Sequence, residues 1–243
     1  MIKKIDKNTS VSELKAIAGK FDTISFDIFD TLLYRKTEHP TDVFTIIDSV
    51  AEEYCFNGSF RDMRVNAEKL ARATSSREDI TLDEIYKKFS ALSGNDANRL
   101  MKLEMEVEAS VICPDKLMTE LFQFCVSAGK NVLIISDMYL PTDFISKVLD
   151  SFGLRGYELY VSSDVMKTKA SGSIYRMLLS EKRLNEARWL HIGDNECSDC
   201  IIPASMGINV LHYNNGKSQS YHNMDALHRL YLFMKFKIKS IVR

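Results

Sequence analysis

Thr23-Ile24-Ser25-Phe26-Asp27-Ile28-Phe29-Asp30-Thr31-Leu32-Leu33 is the stretch that decides the fold. Four residues of strand character run straight into a carboxylate. An unpartnered carboxylate is costly in a core, so the pattern puts Asp27 at the carboxyl end of a strand, exposed in the crevice where open α/β sheets bind ligands. The plainer reading is that Asp27 caps a turn.

Working outward, the same short apolar runs recur: Asn131 to Ile135, Tyr157 to Ser162, Trp189 to Ile192 and Ile208 to His212. Helical patterns stand between them, over Asp115 to Ala128, Thr142 to Phe152, Ser171 to Leu179 and Ser198 to Met206. Gly129 and Gly153 close two of these helices as C-terminal glycines. The order β-α-β-α-β-α-β predicts an α/β fold, a Rossmann-like parallel sheet with helices on both faces.

One segment breaks the alternation. From about Thr41 to Val111 the period is helical, first through Val43, Ile46, Ile47, Val50 and Tyr54, later through Leu100, Leu103, Val107 and Val111. Thr81-Leu82-Asp83-Glu84 is a capping box that opens a helix between them. An all-helical insert at this point would stand over the carboxyl ends of the strands. The predicted division is an N-terminal helical segment (1–20), an α/β core (21–35 and 112–215), a helical cap (36–111) and a basic amphipathic C-terminal helix (216–243).

Composition excludes several classes. The chain has 243 residues, 45% hydrophobic and 27% charged, with 4 Pro and 10 Gly, which suits a globular protein and neither a collagen-like nor a disordered one. Its net charge of -1 provides no global field for nucleic acid or an anionic membrane. Residues 217–243 nevertheless carry a local charge of +5, which leaves -6 for the rest. That tail is expected to pack on the core or on a second copy, ahead of docking on a membrane surface or a partner. No apolar run approaches a membrane span or a signal peptide's core, and the five cysteines are odd in number and scattered, so the expected location is cytoplasmic. Cys197 and Cys200 have C-x-x-C spacing but no second pair for zinc, and His191 reads as a strand-end residue rather than a ligand.

The chemistry-bearing residues follow the strands. Asp27 follows the first, and His191-Ile192-Gly193-Asp194-Asn195-Glu196-Cys197-Ser198-Asp199 brings Asp194 and Asp199 after another. Carboxylates delivered from separate strand ends make an all-oxygen site, which suits Mg2+. Ser136 offers a hydroxyl after Ile134-Ile135, and Lys169 lies in Lys167-Thr168-Lys169-Ala170-Ser171-Gly172 ahead of a helix.

In this order, Asp27, Ser136, Lys169 and Asp194 with Asp199 resemble the four motifs of the haloacid dehalogenase-like (HAD) hydrolase superfamily. The resemblance covers roughly residues 21–213, with the helical insert where that superfamily places a C1-type cap. The nearest subgroup carries FDIFDTLL-, ISDMYLP-, TKASG- and HIGDN-type segments, which stand here at Phe26 to Leu33, Ile135 to Pro141, Thr168 to Gly172 and His191 to Asn195. Members of that subgroup often accompany or are fused to glycosyltransferases of surface-polysaccharide synthesis. This makes a glycosyltransferase, or a second copy of the chain, the expected partner of the C-terminal helix.

The resemblance implies a phosphatase of a small phosphorylated metabolite such as a sugar phosphate. Asp27 would be the nucleophile, and Mg2+ would be held by Asp27, the Phe29 carbonyl, Asp194 and, directly or through water, Asp199. Ser136 and Lys169 would bind phosphoryl oxygens, with Lys169 also orienting Asp27, and Thr31 would tie down the loop. One departure matters: the superfamily's phosphatases usually carry a second Asp two residues after the nucleophile, as general acid and base. Here that place is Phe29, which transfers no proton. Dehalogenases and phosphonatases of the superfamily also lack that Asp, so a carbon-halogen or carbon-phosphorus substrate is the second expectation. The full acidic pair Asp194 and Asp199 favours phosphoryl chemistry, with Asp30 or His39 as the replacement acid. A non-catalytic module serving a glycosyltransferase is the third. Arg35, Lys36, Arg61 and Arg64 are the candidate substrate contacts from the cap.

Overall fold

The computed structural model describes residues 1–51, 56, 58–93 and 97–216. They form two compact units, an α/β unit of residues 1–34 and 113–216 and a helical unit containing Arg35–Ile112.

The α/β unit is built on a six-stranded parallel sheet of order β1 (Ile2–Asp6), β8 (Asn209–Asn214), β7 (Trp189–Gly193), β2 (Thr23–Phe26), β5 (Asn131–Ser136), β6 (Glu158–Val161). Every residue of β2 and β7 is buried, as expected of central strands covered on both faces. The covering helices include α6 (Lys116–Ser127), α7 (Thr142–Ser151) and α9 (Ser173–Glu181). Leu133 and Ile135 of β5, Trp189 of β7 and Ile174, Tyr175 and Leu178 of α9 share one buried cluster.

Register positions the site. Phe26 lies opposite Ile134 on one side and Ile192 on the other, so three neighbouring strands end together. Asp27, Ser136 and Asp194 therefore emerge at one edge of the sheet. The chain proceeds from β2 to β5 and β6 on one side and then returns to β7 on the other, so the strand order reverses beside β2. A crevice opens at such a reversal.

Residues 1–20, predicted helical, include an edge strand. β1 pairs with β8 along its length, and the helix α1 (Val11–Ala18) follows behind the Ser10 cap. Only Ile5 of β1 is buried, so the strand carried almost no apolar alternation to reveal it. A second small pair was equally invisible: β3 (Leu33–Arg35) joins β4 (Ile112–Pro114) where the chain leaves the α/β unit and returns. The helix expected over Ser198 to Met206 is a wide π-type turn, Glu196–Ile201, followed by one α-turn, Ile202–Ser205.

The helical unit contains α2 (Asp42–Asp48), α3 (Phe60–Thr74), α4 (Leu82–Ser93) and α5 (Asn98–Val111). The capping box forms as read: the Thr81 amide donates to Glu84 Oε2 at 2.9 Å and the Glu84 amide to Thr81 Oγ1 at 3.3 Å. Tyr54 and the C-terminal segment 217–243 lie outside the described residues. Cys113, Cys125, Cys197 and Cys200 are free thiols.

Candidate active site

Asp27 is held at the end of β2 by its amide, which donates to the Ile192 carbonyl at 2.8 Å and continues the sheet one residue past the strand. Its side chain is not exposed in a crevice as expected, but buried, with 8% of it accessible. The physical reason is a partner that no strand pattern reveals. Lys169 Nζ, itself buried, donates to Asp27 Oδ1 at 2.5 Å and to Asp199 Oδ1 at 2.6 Å. Burial of a carboxylate is tolerated when it is paired and hydrogen-bonded.

Asp27, Asp194 and Asp199 each offer an oxygen within 4.8 Å of the others. Fully ionised, three carboxylates against one ammonium would leave an excess of two negative charges in a largely buried place, and hard oxygen donors with that charge suit a divalent cation such as Mg2+. Burial pushes the Asp27 carboxyl well above the usual carboxylate range, Lys169 pulls it back, and Asp199 and Asp194 push it up again. Burial, Asp199 and Asp30 together raise Asp194 to about 6. Burial would raise Asp199 too, but the Lys169 ammonium and a hydrogen bond from His191 outweigh it and hold it well below that range. Burial opposes the charge of Lys169, yet Asp199, Asp27 and Asp137 keep it protonated far above neutrality.

The two acids after β7 differ in how they are used. Asp199 accepts from Lys169 and His191 at Oδ1 and from the Asn195 amide, at 3.1 Å, at Oδ2. Its oxygens are thus engaged by the protein, whereas Asp194 is less deeply buried. Gly193 makes room for this: a Cβ there would stand 2.5 Å from the Asp199 Cβ and Cγ. Asn195 caps the π-type turn by accepting from the Cys197 and Ser198 amides, both at 3.0 Å, which sets the start of the segment carrying Asp199.

Ser136 ends β5 and is 2% exposed, with no protein hydrogen bond to its hydroxyl among the described residues. Phe29 and Asp30 form the turn after Asp27. Asp30 adopts a left-handed backbone, φ 63°, unusual for a non-glycine residue. The turn is closed by the Asp30 amide donating to the Leu33 carbonyl at 2.7 Å and by Asn215 Nδ2 donating to the Asp30 carbonyl at 2.9 Å. The charge of Asp30 is one of the influences that raise Asp194. Thr31 does not tie the loop through its side chain; its hydroxyl is buried without a partner, and its amide reaches the Ile28 carbonyl at 3.4 Å.

Sequence reading missed two groups. Asp137 accepts the Lys169 amide at 2.7 Å and the Ala170 amide at 3.1 Å, so it holds the loop that carries Lys169. Its position next to Ser136 was the available signal. His191 is fully buried and bonded to Ser25, Tyr175 and Asp199, far from an idle strand end.

Two of the four proposed substrate contacts are structural. Arg64 is fully buried, bonded to Glu104 at 2.7 and 2.9 Å and to Glu68 at 3.1 Å, with its guanidinium over the Phe44 ring. Arg35 is buried against Glu108 at 2.5 Å. Arg61 reaches Thr41 Oγ1 at 3.3 Å, Lys36 is exposed, and His39 is exposed with its amide on Asp42. All five belong to the helical unit.

No protein-family model matches the sequence, and no curated protein does. Solved structures match the fold. A HAD-family enzyme from Bacteroides thetaiotaomicron aligns over 83% of this chain and 97% of its own, at 15% identity and a TM-score of 0.58. The same enzyme in complex with magnesium and inorganic phosphate aligns over 83% and 98%, at 14% and 0.55. A defluorinating L-2-haloacid dehalogenase aligns over 84% and 86%, at 15% and 0.58. The fold is therefore the Rossmann-like α/β fold of the HAD enzymes.

Proposed function

We propose that the protein is a Mg2+-dependent HAD hydrolase, a phosphatase of a small phosphorylated metabolite such as a sugar phosphate, working through an aspartyl-phosphate. The observation that carries this reading is the clustering of Asp27, Asp194 and Asp199 beyond the ends of neighbouring strands, with the buried Lys169 bonded to Asp27 and Asp199. The match to an enzyme crystallised with magnesium and inorganic phosphate supports it at the level of the fold.

Asp27 attacks phosphorus through a carboxylate oxygen while the bond to the leaving alcohol breaks in line; water then attacks the acyl phosphate and releases phosphate, restoring Asp27. Lys169 holds Oδ1 and leaves Oδ2 to attack. The Ser136 hydroxyl and the Lys169 ammonium take phosphoryl oxygens. Asp27, the Phe29 carbonyl and Asp194 would hold Mg2+, with Asp199 behind them. When bound, the ion offsets charge on the nucleophile and the transferring group. Phe29 transfers no proton, so Asp30, the next residue of the turn, protonates the leaving oxygen and then draws a proton from water.

Phe29 also favours a second reading, hydrolytic removal of halide or of a phosphonate group, since a leaving halide takes no proton and needs no acid at that place. The experiment is phosphate release from a panel of sugar phosphates, beside halide release from 2-haloacids, with and without Mg2+. Metal-dependent phosphate release that is lost in Asp27→Ala supports the first reading. Metal-independent halide release overturns it in favour of the second, and phosphate binding without turnover leaves a non-catalytic module for a partner such as a glycosyltransferase.

A further inference from the structure

Behind the acidic cluster runs a buried hydrogen-bonded relay that the proposed reaction does not use. Trp189 Nε1 donates to Ser25 Oγ at 2.8 Å, and Ser25 Oγ meets His191 Nδ1 at 2.7 Å. His191 Nε2 lies 3.0 Å from the Tyr175 hydroxyl and 3.2 Å from Asp199 Oδ1. Tyr175 donates to the Ser198 carbonyl at 2.9 Å. Trp189, Tyr175, Ser25 and His191 are all fully buried. Ser25 and His191 sit opposite each other on β2 and β7, two and three residues before Asp27 and Asp194.

The ends of the relay fix its direction. An indole N–H can only donate and a backbone carbonyl can only accept. Tyr175 gives its one proton to Ser198, so its oxygen accepts from His191. Nε2 therefore carries a proton, which is also what the carboxylate at 3.2 Å requires, since a bare ring nitrogen would set lone pair against lone pair. Ser25, which accepts from Trp189, is left to donate to a bare Nδ1. Asp199 then receives three donors, from Lys169, His191 and the Asn195 amide.

We infer that His191 is a positioning residue: held by Ser25 as the Nε2–H tautomer, it shares that proton between Tyr175 and Asp199 Oδ1 and so fixes the carboxylate that aims Lys169 at Asp27. The inference rests on the proposed hydrolase reading for its kinetic consequence but not for its geometry. Its sequence signal is a serine two residues before the first aspartate and a histidine three before the second.

The test has two arms on the full-length protein. The first is 15N NMR of the imidazoles, with the His191 signals assigned by their loss in His191→Gln. The expected result is a proton on Nε2 and none on Nδ1; an Nδ1–H tautomer overturns the relay whether or not the protein turns anything over. The second compares His191→Leu with His191→Gln, whose amide N–H restores a donor near Nε2, using para-nitrophenyl phosphate with Mg2+. A hydrogen bond to a charged group is worth about tenfold to a hundredfold, which is the expected fall in kcat for the leucine variant, with the glutamine variant within about threefold of wild type. Melting temperatures are measured on both. If kcat falls alike in the two variants, in step with melting temperature, the role is structural and the inference fails. Wild-type protein inert toward every phosphate ester would sink the phosphatase reading instead, leaving the NMR arm to decide the relay.

Discussion

Mg2+ binding should strengthen with pH through the titration of Asp194, and the size of the effect follows from its surroundings. Burial and the neighbouring Asp199 and Asp30 raise this carboxyl to about 6 from an ordinary 3.8. A metal ligand must be deprotonated to bind, so the apparent association constant scales with the ionised fraction. With a pKa near 6, about one eleventh of Asp194 is ionised at pH 5 and nearly all at pH 7.5, a difference of about tenfold in affinity. Asp27, pushed up in the same direction, adds to it. The sign for stability is the reverse. A carboxyl whose folded pKa exceeds its unfolded value makes the metal-free protein less stable as pH rises from about 4 to about 6, by up to about 3 kcal/mol for a two-unit shift. Isothermal titration with MgCl2 at pH 5, 6 and 7.5, in buffers of different ionisation enthalpy, measures both the affinity and the protons released. Thermal unfolding without metal over the same range gives the second sign. An affinity that stays flat from pH 5 to 7.5 with no proton release, or Asp194→Asn binding Mg2+ as wild type does, would refute the reasoning.

Four other outcomes are expected. Asp27→Asn removes the nucleophile and should reduce phosphate release to background while the fold, monitored by circular dichroism, is kept. Asp30→Asn retains a residue tolerated in the left-handed region but not its proton, so turnover of a substrate with a poor leaving group should fall about 10²–10⁴-fold with a changed pH–rate profile. An unchanged rate and profile would end the assignment of Asp30 as the acid. Gly193→Ala introduces a Cβ at 2.5 Å from Asp199, and should cost activity far more than the same change at open Gly129, where no atom lies within 4 Å; because Gly129 has φ 66°, melting temperature is the control there. Arg64→Met leaves Glu104 buried, with Tyr86 as its remaining side-chain hydrogen-bond partner among the described residues, and should destabilise the helical unit by about 3–5 kcal/mol in thermal unfolding, with partial recovery when Glu104 is also replaced by Gln.

Much of the α/β unit was legible because its central strands are buried on both faces and are mostly apolar. Ile24, Phe26, Val132 to Ile135 and Leu190 to Ile192 state this in a few letters each. Elements that bury little or are very short stayed hidden, such as β1 with Ile5 as its one buried residue, or the β3–β4 pair with three residues to a strand. Arg64 illustrates the opposite failure. An arginine on an amphipathic helix reads as surface, and the buried acidic partner forty residues away is not visible in the local pattern.

By itself the sequence determined that carboxylates, a serine and a lysine follow successive strands, because a break from apolar run to polar residue marks a strand end wherever it falls. Only the tertiary structure decided that three strands stop in register, so that these groups share one edge. It likewise decided that Asp27 is buried rather than exposed, because Lys169 reaches it from 142 positions along the chain. The division of labour between Asp194 and Asp199, and the wiring of His191 beneath them, depend on which donors approach each oxygen. That is a matter of distance and direction between side chains from different strands, and no spacing along one chain encodes it.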